Sequence, residues 1–366
     1  MRASQRVQTF SPKSASSNVV YFFAPRGGVS RLTGFLETML RDRHSVGSQQ
    51  WLTESSFLMQ MLETSQQHNV ISDDGIFTSY HQSLAGRLQL NPQAYKAYLS
   101  LALSFEELTG ADAEADGMMN WILSRDLPTG EMNDIDRLEA SWLMARRGRR
   151  ALPYSAEKEM QNRVQNYIAR ADLFAQSPRG RELFRALGYL TDFGRLPVIL
   201  PGAVRYSLRN AGFYALLSGD IETLALVCVA HRFVRLAPPQ EWEALVTSNL
   251  DALTITDEPQ PRGADCFDGF IAANWMLSAA GRPAFARVSD QTGAWFICDA
   301  PALNALPQIE AALADISTKR SGEWTDMQAL LFSRLGEEET RLLLRTARTA
   351  GFEAFFEVFA RPFEQF

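Results

Sequence analysis

Residues 91–108 read NPQAYKAYLSLALSFEEL, and they set Tyr95, Leu99, Ala102 and Phe105 on one face of a helix. An apolar stripe with this spacing is stable only if another element covers it, so the segment predicts helix packed on helix. The pattern extends in both directions. Trp51, Leu58, Met61 and Leu62 share a face before it, Ile135, Leu138, Trp142 and Ala145 share one after it, and helix-spaced apolar residues continue from about Arg31 to Phe363. Asn91-Pro92, Ser177-Pro178 and Ala237-Pro238-Pro239 mark helix starts, because proline lacks the N–H that a first turn leaves unpaired. Gly219 followed by Asp220 reads as the end of one helix and the N-cap of the next.

Two stretches depart from this pattern. Residues 18–23, NVVYFF, are β-branched and aromatic and read as one short strand ahead of a turn and a helix from about Ser30. Residues 285–288 and 294–298 are strand-like around the glycine-containing loop SDQTG, which predicts a β-hairpin. The expected fold is therefore mainly α, with antiparallel and orthogonal helices, one N-terminal strand and a small C-terminal α+β subdomain. The expected division is an arm over 1–18, a multi-helical domain over 19–282 and the smaller subdomain over 283–366. Residues 256–265 and 146–155 are the expected long loops. No fixed repeat period supports a superhelical array.

Composition narrows the functional classes. The chain has 366 residues, a net charge of −6 with the two signs interspersed, and no apolar run long enough to span a membrane. Its first 18 residues lack the apolar core of a secretory signal. Three cysteines, Cys228, Cys266 and Cys298, are too few and too widely spaced for a disulfide framework, which fits a reducing cytoplasm. Lys13, Lys96, Lys158 and Lys319 are the only lysines among 36 basic residues, so Schiff-base and P-loop chemistry have few candidates.

Several motifs approach a chemical signature and stop short. The turn over residues 24–31 contains Arg26, Gly27, Gly28, Ser30 and Arg31 between a strand and a helix, where backbone N–H groups could hold a phosphate. It has neither the lysine of a P-loop nor the spacing of a dinucleotide fingerprint. Asp112, Glu114 and Asp116 precede Gly117 as in a calcium loop, but Leu123 occupies the place of the final bidentate Glu, so they read as helix-capping acids. Cys228 and His231 have metal-ligand spacing, and Cys266 and Cys298 could complete a tetrahedron. The apolar stripe Leu224, Val227, Cys228 and His231 instead predicts core packing, and no metal or cofactor is expected.

His44, His68 and His81 fall in polar contexts and read as surface residues. Arg146, Arg147, Arg149 and Arg150 end a helix whose dipole favours cations, and without interleaved aromatics they are poor nucleic-acid contacts. Phe352, Phe355, Phe356, Phe359 and Phe363 form an aromatic stripe on the last helix, suited to docking in the chain's own core or in an interface.

The segments QQWLTESSFLMQMLETS, NPQAYKAYLSLALSFEEL, RLEASWLMARRGRR and DGFIAANWMLSAAG resemble a group of uncharacterised helical alphaproteobacterial proteins, a domain of unknown function. The resemblance covers roughly residues 18–282 and rests on packing positions; it implies a helical fold and a bacterial cytoplasmic setting, and carries no activity or site. The expected function is thus non-catalytic: a cytoplasmic helical protein that binds a protein partner or itself, with the five phenylalanines as its interface and neither nucleic acid nor membrane as partner. The alternative is a transferase or hydrolase acting on a phosphorylated small molecule at the 24–31 turn.

Overall fold

The computed structural model describes residues 26–67, 70–71, 76–111, 113–261, 263–289, 293–299 and 302–361. The expected arm, the 18–23 strand, His68, Asp112 and Phe363 lie outside the described residues. The first group of helices is α1 (Arg26–Asp42), α2 (Gln49–Thr64), α3 (Ile76–Leu90), α4 (Tyr95–Thr109), α5 (Glu114–Ser124) and α6 (Asp134–Ala145). The middle group is α7 (Tyr154–Ile168), α8 (Ala171–Gln176), α9 (Gly180–Thr191), α10 (Val204–Leu217), α11 (Ile221–Phe233) and α12 (Gln240–Asp251). After strand β1 (Leu253–Thr256) come α13 (Phe267–Ala279), strand β2 (Trp295–Cys298), α14 (Leu306–Ile316), α15 (Trp324–Phe332), α16 (Glu337–Thr346) and α17 (Phe352–Phe359). The chain is mainly α, and among the described residues β1 and β2 form a single two-stranded antiparallel sheet.

The centre is α11, whose sequence IETLALVCVAHRF is apolar on every side and buried from Thr223 to His231. A helix of that kind must be covered all round, and α9, α10, α12 and α13 cover it. Around it α2 packs on α4, and α6 packs on α7 and α9. At Gly212 in α10 an added methyl group would overlap the ring of Trp242, so the missing side chain is what lets α12 approach. Asp192 and Phe193 adopt left-handed backbone, which turns the Phe193 ring into a cluster with Trp142, Tyr189, Phe184, Phe233 and Trp275.

The helix markers read from sequence sit close to real starts. Pro92 opens a short 3-10 turn into α4, α9 begins at Gly180 and α12 at Gln240. Gly219 is left-handed, and the Asp220 carboxylate accepts the Thr223 backbone N–H at 2.9 Å. The expected hairpin does not form. Residues Ala286–Ser289 make a 3-10 turn, because the Phe285 N–H donates to Asn274 Oδ1 at 2.6 Å instead of to a strand. β2 pairs with β1, Leu253 facing Cys298 and Thr256 facing Trp295. That pairing crosses the expected division at residue 283, and one hydrophobic cluster includes buried residues on both sides of it.

Candidate functional site

Where α1 ends and α2 begins, Arg43 is buried to 4 % exposure and joins distant parts of the chain. Its Nε donates to Glu54 Oε2 at 2.5 Å, and its Nη1 donates to Asp265 Oδ1 at 3.2 Å and to the Ala294 carbonyl at 2.9 Å. The guanidinium also lies 4.2 Å from the centre of the Phe267 ring and 4.8 Å from that of Trp295. Burial opposes its charge, but the hydrogen bonds to Asp265 and Glu54 more than offset this and raise its pKa. An arginine with its planar fork satisfied on two carboxylates and its face on aromatic rings acts as a fixed strut.

Beside this strut lies a cleft of about 630 Å³. Its walls come from the α1–α2 junction, the turn between α10 and α11, the start of α13, and the ends of β1 and β2. Asp220, Glu222 and Asp268 face it because each lies at or near a helix N-terminus, where carboxylates meet the positive end of the dipole. Glu54 and Asp265 complete the acidic lining, and Trp295, Phe267, Cys266 and Cys298 add softer surface. His44 Nε2 sits 3.1 Å from Glu54 Oε1, with its ring edge-on to Trp295. Glu222 and Asp268 also border a second cavity of about 470 Å³ that reaches Lys96, Arg185 and Tyr189.

The carboxylates differ in state. Burial pushes Glu222 up to about 8; Arg181, which donates to it, pulls the other way, while Asp268 and Asp220 add to the rise. Asp268 is exposed to solvent by surface area, yet its crowding by neighbouring groups and then the Glu54 charge raise it, against the pull of Arg181 and Arg43. Among the described residues Asp268 has no hydrogen bond or ion pair, whereas Glu54 and Asp265 are held by Arg43 and Asp220 caps α11. Two carboxyl groups with raised pKa values on one cleft make it the candidate site.

Of the residues singled out in the sequence, His44, Gly219, Asp220, Cys266 and Cys298 line this cleft and the others lie elsewhere. Arg26, Gly27, Gly28, Ser30 and Arg31 belong to the first turns of α1, so this stretch is helix and not a turn leading to a helix at Ser30; their side chains lie outside the described residues. Phe352, Phe355, Phe356 and Phe359 are buried against Phe213 of α10 and Trp324 of α15, or against one another, so that face is core and not an open interface. Arg146 pairs with Glu63 and Arg147 with Glu106, each at 2.8 Å, and Arg149 Nη1 donates to Asn120 at 2.5 Å. The arginine cluster is thus largely occupied within the chain.

His81 is a buried residue rather than a surface one, 3.1 Å from Glu106 Oε1. Cys228 is enclosed in α11 with its thiol pKa pushed up by burial. His231 Nδ1 lies 2.9 Å from the Val227 carbonyl, and burial lowers its pKa to about 4. Cys266 and Cys298 both line the cleft wall, the Cys266 thiol 3.7 Å from the Ala264 carbonyl and the Cys298 sulfur accepting from Asn249 Nδ2 at 3.2 Å. What the sequence reading missed is the cleft itself. Arg43, Glu54, Glu222, Asp265 and Asp268 come from separate elements, and no local spacing joins them.

Among the described residues no helix is long and apolar enough to cross a membrane. No curated protein and no solved structure matches the chain. A family model does, over residues 16–362, and the chain belongs to that family, described as a domain of unknown function, DUF6902.

Proposed function

We propose that the protein binds a small organic cation, an amine or guanidinium compound, in the cleft beside Arg43. The observation that carries this reading is Asp268, a carboxylate without a partner among the described residues, on a cleft whose basic groups are already engaged. A cation entering there meets the carboxyl groups of Asp268 and Glu222, so charge and hydrogen bonding draw it in. A phosphorylated molecule would meet Asp268, Glu54 and Asp265 as acidic neighbours, which disfavours in this cleft the phosphate chemistry considered for residues 24–31.

Thermal denaturation with a panel of spermidine, agmatine and glucosamine, against glucose 6-phosphate and ATP, tests the reading. At least one amine is expected to raise Tm, and Asp268→Asn to weaken its binding about tenfold, corresponding to loss of about 1.4 kcal/mol. Stabilisation by the phosphates alone, or by none of the panel, contradicts it.

A second reading, association with a protein partner or with another copy, is favoured by one surface feature. In the loop between α9 and α10, Leu196 is 56 % and Ile199 97 % exposed, flanked by Pro197 and Pro201. Apolar side chains this exposed in one short segment are a common mark of contact surfaces. Sedimentation velocity separates the two readings: self-association that Leu196→Ser with Ile199→Ser abolishes supports the second, and a monomer at all concentrations removes self-association from it.

A further inference from the structure

Cys266 is the N-cap residue of α13, and Cys298 closes β2. Two backbone contacts hold these segments side by side: Asp265 bridges Ile297, and the Cys266 N–H donates to the Phe296 carbonyl at 2.9 Å. The antiparallel bridge sets Ala264 opposite Cys298, and the Cys266 thiol turns back toward the Ala264 carbonyl at 3.7 Å. Asn249 Nδ2, at 3.2 Å, fixes the Cys298 sulfur from the other side. Both thiols are partly exposed and both line the cleft, whereas Cys228 is sealed in the core.

We infer that Cys266 and Cys298 are a reversible dithiol–disulfide pair, oxidised by small disulfides that enter the cleft. One thiolate attacks a sulfur of the small disulfide, forming a mixed disulfide and releasing one small thiolate. The second cysteine loses its proton to water and attacks the protein sulfur of that mixed disulfide, releasing the second small thiolate. In sum the protein dithiol loses two electrons and two protons, and the small disulfide becomes two thiols. The new bond ties the start of α13 to the end of β2 across the wall that carries Asp265 and Asp268. Solvent access and neighbouring places on one cleft wall favour this pair over any pair containing Cys228, which is sealed in the core.

The test is incubation of the full-length protein with oxidised glutathione, alkylation, and digestion without reductant. The expected products are a Cys266–Cys298 cross-linked peptide and an intact mass lower by two hydrogens, both reversed by dithiothreitol. Cys228→Ser is expected to leave the cross-link unchanged, and Cys298→Ala to trap glutathione on Cys266. If both thiols remain open to alkylation, or glutathione stays as a stable adduct on the wild-type protein, the inference is overturned. Because the wild-type digest alone decides it, no variant has to fold, and the outcome is independent of whether the cleft binds a cation.

Discussion

Arg43 connects the α1–α2 corner to Asp265 and Ala294, more than 220 residues further on. Replacing it by methionine keeps much of the volume but strands Glu54 and Asp265 without their counter-charge. We expect Arg43→Met to cost about 3 kcal/mol, the lower range for breaking a buried pair, measured by urea denaturation; a loss under about 1 kcal/mol would show that water replaces the guanidinium. His231 gives a prediction in pH. It is buried with a folded pKa near 4, below the value of about 6.5 for an unfolded histidine. Between those values the unfolded chain holds the extra proton, so stability falls as pH drops through that window, by up to about 3 kcal/mol for this group. His231→Leu is expected to flatten this part of the acid limb, and an unchanged slope between pH 6.5 and 4 would assign it to other groups. Core placement of Cys228 and His231 was legible in their stripe. The burial of His81 was not, because its partner Glu106 lies 25 positions away on another helix.

Secondary elements were legible where one chain segment carries the whole signal. The stripes of α2, α4 and α6 and the glycine–aspartate boundary of α11 needed no knowledge of distant residues. β2 was visible, but its partner was not: LTIT is four residues long and stands about forty positions upstream, so only tertiary contact selects it over residues 285–288. Whether the α17 stripe faces home or outward is likewise decided by what covers it, here Phe213 and Trp324. Phe355→Asp, placing a charge at a position with 0 % exposure, is expected to destroy cooperative unfolding rather than to weaken association selectively. A soluble variant with native circular dichroism and thermal transition would return that face to the surface. At the α10–α12 contact, Gly212→Ala is expected to cost about 1–3 kcal/mol through overpacking against Trp242, and an unchanged Tm would mean that the helices separate freely.

The molecule as a whole is a helical body with an acidic cleft where the α1–α2 corner meets the start of α13 and the end of β2 around Arg43. Net charge and composition gave no whole-chain feature that recruits polyanions, yet they could not locate the cleft, since its carboxylates come from elements far apart in sequence. The raised pKa of Glu222 gives the cleft a distinctive response. With a folded value near 8 against about 4.5 unfolded, the folded state holds the extra proton over that range, so this carboxyl lowers stability as pH rises from 4.5 to 8. The same ionisation adds a negative charge beside Asp268, so affinity for a cation is expected to rise between pH 7 and 9, and Glu222→Gln to remove that rise in calorimetric titrations. A pH-independent affinity would take Glu222 out of the site.

The most direct measurement is native mass spectrometry of the full-length chain mixed with the amine and phosphate panels together. The expected spectrum shows one organic cation per chain, needing about tenfold more ligand in Asp268→Asn and unchanged in Leu196→Ser with Ile199→Ser. A spectrum with only phosphorylated adducts, or with no adduct at any ligand concentration that stabilises the protein, would contradict a cation site in the cleft.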